Sequence, residues 1–161
     1  PGFLWTKTKR KSLLIIDDDE PFLQALTKQI ELHEEFILTG VSTGESALEK
    51  TKANTFDAII LDVGLPDMNG REVCRLMRRN GVTSPIIMLT GHAERSAVET
   101  ARDAGVNEFL TKPVSAEKLY SKIHTLIETP RVFVRSGDYF GPDRRRRQNP
   151  KYKGPERRKD A

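Results

Sequence analysis

Four apolar residues, Leu13-Leu14-Ile15-Ile16, run directly into three carboxylates, Asp17-Asp18-Asp19. A run this short and apolar on both faces predicts a strand buried in a parallel sheet, since an amphipathic helix would place polar residues in every turn. The acids then stand at the carboxyl end of a central strand, where open α/β sheets gather their ligands. Adjacent carboxylates repel and raise one another's pKa unless a cation lies among them. An oxygen-rich site of this kind suits a hard divalent ion, Mg2+ above all. The alternative is that the triplet only ends a strand and caps the next helix.

The rest of the chain repeats the alternation. Pro21 suits a helical first turn, and Phe22, Leu26 and Ile30 follow at helical spacing. A strand is expected over 36–41, a helix over 46–53, and a buried strand over 58–61 that ends at Asp62. A turn-rich loop, 64–70, leads to a helix carrying Val73, Leu76 and Met77 and stopping near Asn80-Gly81. Ile86-Ile87-Met88-Leu89 is a fourth strand, ending at Thr90. Ala97, Ala101 and Ala104 mark a fourth helix with Gly105 at its end, 108–110 a short fifth strand before Thr111-Lys112-Pro113, and Leu119, Ile123 and Leu126 a fifth helix over 115–128. Alternation of this kind implies a parallel sheet with helices on both faces.

Each apolar strand is followed by a polar group: Asp17, Asp18 and Asp19 after the first, Asp62 after the third, Thr90 after the fourth, Lys112 after the fifth. A parallel sheet brings such ends to one edge. Two sets of acids beside a hydroxyl and an ammonium suggest phosphoryl transfer onto a carboxylate, with Asp62 as nucleophile. Mg2+ held by the acids would neutralise the incoming group, Lys112 would pair with one of its oxygens, and the Thr90 hydroxyl would donate to another.

Over about residues 11–128 the chain resembles the receiver domain of two-component response regulators. The words that carry the likeness are Ile15-Ile16-Asp17-Asp18, Leu61-Asp62-Val63-Gly64-Leu65-Pro66-Asp67-Met68-Asn69-Gly70, Met88-Leu89-Thr90-Gly91 and Phe109-Leu110-Thr111-Lys112-Pro113. The resemblance implies a flavodoxin-like, doubly wound α/β fold: a five-stranded parallel sheet of order 2-1-3-4-5 with five helices. It implies that Asp62 accepts phosphate from a histidine kinase or a histidine phosphotransfer protein. Asp18, Asp62 and the Gly64 backbone carbonyl would bind Mg2+, with Asp17 acting largely through water. Asp19 is read as a helix-start residue. Phe109 matches a switch aromatic that turns inward with Thr90, unless it is a static core ring. The same likeness implies a cis Lys112-Pro113 bond. It also places His92 where the family tunes acyl-phosphate lifetime, unless His92 is only a loop residue. A homodimer through the fourth helix, fifth strand and fifth helix is a further expectation, as is a role in signalling and not as an enzyme, although the domain assists its own phosphorylation and dephosphorylation.

Charge divides the chain into three. Residues 1–11 form a basic arm; 13–128 hold twelve basic and nineteen acidic residues; 129–161 hold eleven Lys and Arg against four acids. An acidic body with basic arms is expected, with the receiver over 12–128 and the tail extended or disordered. The 33 tail residues are too few for a winged-helix output domain with its own core. They do repeat a word: Tyr139-Phe140-Gly141-Pro142-Asp143-Arg144-Arg145 recurs as Tyr152-Lys153-Gly154-Pro155-Glu156-Arg157-Arg158. Tyr and Arg are typical interface anchors, so Tyr139, Arg144, Arg145, Tyr152, Arg157 and Arg158 are candidate partner contacts. A downstream protein is favoured over nucleic acid, because each word sets an acid beside its arginines; a fold-back of the tail onto the acidic body is the third use.

Cys74 stands alone, so no internal disulfide is expected, and it is read as a core or boundary residue. No apolar run approaches the roughly 20 residues that span a bilayer, so a cytoplasmic protein without membrane insertion is expected. A rival from another class is a phosphatase of the haloacid-dehalogenase type, with Asp17 as nucleophile in an Asp-x-Asp pair; it would leave Asp62 idle.

Overall fold

A computed structural model describes residues 10–91, 104–137 and 139–143. Its centre is β1 (Lys11–Ile16), which pairs in parallel with β2 (Phe36–Val41) on one side and β3 (Ala58–Asp62) on the other. Beyond β3 lie β4 (Ile86–Thr90) and β5 (Glu108–Thr111), so the order is β2-β1-β3-β4-β5 with every pair parallel. This is the expected 2-1-3-4-5 sheet.

Leu13, Leu14, Ile15 and Ile16 are all fully buried, which explains why β1 shows no polar alternation. Leu14 and Ile16 join the core with Val73, Cys74 and Met77, whereas Leu13 and Ile15 join Leu26, Ile30, Leu119 and Ile123. Apolar layers on both faces of a strand are the mark of a doubly wound sheet.

The helices begin on caps that the sequence supplies. Asp19 caps α1 (Glu20–Glu31), its carboxylate accepting from Phe22 N at 3.2 Å. Thr43 caps α2 (Gly44–Ala53), accepting from Ser46 N, so this helix starts two residues before the expected 46. Asn69 caps α3 (Gly70–Arg79) and Ser115 caps α4 (Ala116–Glu128). The helix expected around Ala97 and Ala101 falls outside the described residues; at its end Ala104 is buried and Gly105 takes φ +105. Four helices are therefore described. None of them is long and apolar enough to cross a membrane.

The inward face of α3 departs from expectation. It consists of Gly70, Val73, Cys74, Met77 and Arg78, while Leu76 is only partly buried. Arg78 is 2 % exposed, and its guanidinium donates to the carbonyls of Gly105, Val82 and Ser84 and to Asn107 Oδ1 at 2.8–3.0 Å. Four acceptors satisfy the buried cation and tie the end of α3 to the starts of β4 and β5.

Within the tail, β6 (Phe133–Ser136) and β7 (Tyr139–Pro142) pair antiparallel, with Gly137 at φ +58 between them, a pairing not expected from the sequence. Arg78 Cζ lies 4.8 Å from the Phe133 ring centroid, and the Phe133 and Phe140 rings are 5.4 Å apart. A two-stranded hairpin is at best marginal alone; docking against Arg78 and Gly105 gives this one its support.

Cys74 lies inside the core with Sγ 3.3 Å from the Ala104 carbonyl. Burial pushes its thiol up to about 11. At pH 8 the native thiol is therefore both protonated and covered. Labelling with a disulfide reagent is expected to be complete within seconds in denaturant, and in buffer to proceed only at the rate of global opening. Rapid stoichiometric labelling of folded protein would place Cys74 at a mobile surface.

Candidate functional site at the carboxyl edge of the sheet

Because all five strands run the same way, their carboxyl ends share one rim. Asp17 follows β1 and is 1 % exposed; Asp62 ends β3 and is 8 % exposed; Asp18 is exposed. Thr90 ends β4, and Lys112 follows β5, with its backbone N–H donating to the Thr90 carbonyl at 2.8 Å. The fold brings Asp17, Asp18 and Asp62 together with Lys112, and Thr90 ends the strand beside Asp62.

The Lys112 ammonium lies 2.9 Å from Asp17 Oδ2 and 3.5 Å from Asp62 Oδ1. Its shorter bond is to Asp17. The Phe22 ring lies under the ammonium at 4.8 Å from its centroid. One carboxylate oxygen from each of Asp17, Asp18 and Asp62 falls within 4.8 Å of the others. A single ammonium offsets one of these three negative charges. The remaining charge and the all-oxygen donor set fit a hard divalent cation.

Burial, and next the charge of Asp17, raise the Asp62 pKa, against the opposing pull of Lys112 and of a hydrogen bond from the Gly64 amide. Burial works against the Lys112 ammonium, but its hydrogen bond to Asp17 and the charges of Asp17 and Asp62 outweigh it, and its pKa is raised.

Asp19 does not join the rim. Its side chain caps α1, and its amide donates to Asp17 Oδ1 at 2.9 Å, which fixes the orientation of Asp17. A dehalogenase-like use of Asp17 and Asp19 would need Asp19 at the site and Asp62 outside it. The geometry is the reverse.

Two residues that sequence reasoning passed over as mere turn formers set the position of Asp62. Asp67 accepts from the amides of Gly44 and Glu45 at 2.8 and 3.0 Å, bonds that lower its pKa and pin the loop after β3 to the start of α2. Gly70 packs so closely that a Cβ there would run into the Asp62 carbonyl oxygen and approach Val63 Cα within 2.9 Å. Both atoms are backbone and cannot turn aside. The signal was present in the word Asp67-Met68-Asn69-Gly70, but only contact with β3 gives it meaning.

Phe109 is partly buried and packs on the core layer that contains Met88 and Val73. The Lys112-Pro113 bond is cis, as the resemblance implied. His92, Arg144, Arg145, Tyr152, Arg157 and Arg158 lie outside the described residues. Tyr139 does not reach the rim; its hairpin docks at the amino ends of β4 and β5.

Gly70→Ala is expected to lose about 1–3 kcal/mol in denaturant melts and to slow chemistry at Asp62 while every rim side chain is retained. Wild-type stability and wild-type rate together would show that the loop can yield. A second expectation concerns pH. Since the Asp62 pKa is raised on folding, the unfolded chain loses this proton first, near its ordinary value of 3.8, and stability falls as pH rises from there to the native value. Above that window the ionised carboxylate burdens the fold. Asp62→Asn should therefore melt higher than wild type at pH 7 in chelator, and the gap should close below pH 3.8. A variant that melts lower at pH 7 would contradict the assigned repulsion.

Comparison with known proteins agrees with the rim. A family model described as "Response regulator receiver domain" matches residues 13–124. The response regulator ArlR of Staphylococcus saprophyticus is 32% identical over 115 residues, covering 71% of this chain and 51% of the relative. The alkaline phosphatase synthesis transcriptional regulatory protein PhoP of Bacillus subtilis is 30% identical over 128 residues, covering 80% and 53%. The chain thus spans about half the length of these curated relatives. Among solved structures, a CheY-like response regulator receiver domain protein from Methanospirillum hungatei is 30% identical with a TM-score of 0.69, covering 74% of this chain and 95% of its own. A two-component response regulator from Clostridium difficile is 29% identical with a TM-score of 0.70, covering 74% and 97%. Strand order, carboxylate cluster and family match agree: the chain belongs to the response regulator receiver family.

Proposed function

We propose that this protein is a phosphorylation-dependent switch whose phosphoacceptor is Asp62. The observation that carries this is the shared ammonium: Lys112 lies between Asp17 and Asp62 at 2.9 and 3.5 Å, at the rim where the third carboxylate, Asp18, also converges. A carboxylate oxygen of Asp62 attacks phosphorus, the bond from phosphorus to the donor nitrogen breaks, and the leaving imidazole keeps the electron pair and takes up a proton. Lys112 can follow the oxygens of the transferred group without losing Asp17. The Thr90 hydroxyl serves as a donor to another of those oxygens.

Asp18, Asp62 and the Gly64 backbone carbonyl would hold Mg2+ directly, with Asp17 acting largely through water. When bound, the ion neutralises negative charge on the incoming phosphoryl group, so that anion meets anion at tolerable cost. Asp17 is better suited to orient than to ligate, because one of its oxygens receives Lys112 and the other the Asp19 amide.

The donor is a histidine kinase or histidine phosphotransfer protein, and the reader is a protein that senses Thr90 and Phe109. Pairing of two copies through the face that includes β5 and α4 belongs to the same reading, as does a cytoplasmic setting. Signalling, not turnover of an outside substrate, is the output.

Acetyl phosphate with Mg2+ should load close to one phosphoryl group per chain on wild type, with at least a 100-fold slower reaction for Asp62→Asn, the order expected for loss of a nucleophile. Chelation should act like the substitution. Undiminished aspartyl-phosphate on Asp62→Asn would move the nucleophile to Asp17. Nucleic-acid binding by the tail would announce itself as affinity falling linearly on a log–log salt plot; flat dependence removes it.

A further inference from the structure

The third acid of the opening triplet and the aromatic three residues after it take no part in the chemistry assigned to the rim, yet both are fastened to it. The Asp19 amide donates to Asp17 Oδ1 at 2.9 Å, the Phe22 amide donates to Asp19 Oδ1 at 3.2 Å, and the Lys112 ammonium donates to Asp17 Oδ2 at 2.9 Å. The Phe22 ring closes the circuit, with its centroid 4.8 Å from Lys112 Nζ. Four residues from two distant words, Asp17-Asp18-Asp19-Glu20-Pro21-Phe22 and Thr111-Lys112-Pro113, thus form one ring of contacts at the edge of the site.

The circuit fixes where the aromatic ring stands. Asp19 caps α1, Pro21 lies in its first turn, and the amide that the cap receives is that of Phe22. The Phe22 side chain is partly buried and packs on the core layer that holds Leu13, Ile15 and Leu119. Lys112 has more freedom. Its ammonium ends a flexible four-carbon stem, and 26 % of its side chain is exposed. Asp17 and Asp62 draw the cation at 2.9 and 3.5 Å, and the ring attracts it without a directional hydrogen bond. The ring can therefore keep hold of the ammonium while that group exchanges Asp62 Oδ1 for an oxygen of an arriving phosphoryl group. An aliphatic side chain would fill the space but exert no such pull.

Given Asp62 as phosphoacceptor, the reading on which this rests, we propose that Phe22 is a positioning residue for phosphoryl transfer. Its ring holds the Lys112 ammonium between Asp17 and Asp62, so that the cation already stands where the transferred group arrives. Charge placed in advance needs no rearrangement at the moment of reaction, whereas a lysine free to turn toward water supplies it only part of the time. Phe22 acts through Lys112, and the first turn of α1 thereby shares in setting the rate.

The test compares wild type, Phe22→Leu and Phe22→Tyr in the full chain. Leucine is apolar and a good helix former but has no aromatic face; tyrosine keeps the face. By NMR of the metal-free protein, the Lys112 ε-methylene protons should carry the upfield ring-current shift of a nearby aromatic face, lost in Phe22→Leu and kept in Phe22→Tyr. With acetyl phosphate and saturating Mg2+, Asp62 takes the phosphoryl group as the phosphorus–oxygen bond to the acetyl group breaks and acetate leaves. That loading should slow about two- to fivefold in Phe22→Leu, the size of one exposed cation–π contact, and recover in Phe22→Tyr, with the half-saturating Mg2+ concentration unchanged in both. A Phe22→Leu rate equal to wild type would overturn the proposal. So would a Lys112 shift that stays the same, a loss that tyrosine fails to restore, or a loss that lies wholly in Mg2+ affinity. Asp62→Asn, run alongside, tells the two readings apart. If it loads as fast as wild type, the phosphoacceptor assignment falls and takes the role of Phe22 with it; if it is slow while Phe22→Leu is not, only the role of Phe22 falls.

Discussion

The close approach of Lys112 to two carboxylates is the contact on which the rim depends. Three acids brought together at one sheet edge would push the chain apart or protonate, and a buried Asp17 without a partner would be costly. The ammonium meets both demands, at 2.9 Å from Asp17 and 3.5 Å from Asp62. It does so incompletely, and the incompleteness has a use. Asp62 keeps a raised pKa because burial and Asp17 together outweigh Lys112. A site left with excess negative charge has affinity for a divalent cation, and a carboxylate that is not locked in a tight ion pair remains available to react.

The groups of this arrangement are each held by bonds to a neighbouring element. Lys112 is held by its own N–H on the Thr90 carbonyl, Asp17 by its N–H on Val41 and by the Asp19 amide, and Asp62 by the loop that Asp67 and Gly70 fix against α2 and β3. Thus the charges sit at strand ends, and each strand end is fastened to a neighbour. Placement of reactive groups on such a frame limits the reorganisation that a transferred phosphoryl group would demand.

Much of this was legible in the sequence because it is written in local patterns. Apolar runs of four residues that end in Asp or Thr declare both the strand and its carboxyl terminus, the shorter Phe109-Leu110 does so before Thr111-Lys112, and parallel alternation brings those ends together. The caps at Asp19, Thr43 and Ser115 are equally local. What sequence reading misses is decided by contacts across the chain. Leu76 was expected on the inward face, yet the stripe that faces inward is 73, 74, 77 and 78, and Arg78 stays buried since four acceptors from 82, 84, 105 and 107 await it. Gly70 could be named a turn residue from sequence, but its closeness to the Asp62 carbonyl could not. The hairpin escaped notice for the same reason. Phe-Val-Arg-Ser and Tyr-Phe-Gly-Pro have little propensity for isolated pairing, and their support comes from α3, more than fifty residues back.

The two ends of β5 now carry different burdens. At its carboxyl end Lys112 meets the acids; at its amino end Asn107 accepts from both Arg78 and the Ile86 amide, one step from the Gly105–Gly141 contact. Four residues lie between Asn107 and Lys112, so the two are about 16 Å apart along the strand at the usual rise per residue. The described part of the hairpin and the rim therefore meet the sheet at opposite ends of β5. Between those ends β5 keeps its register with β4 from Glu108 to Thr111, and its Phe109 is partly buried on the core layer. One short strand thus joins the charged cluster to the buried arginine, and the backbone bonds that set its register fix both at once.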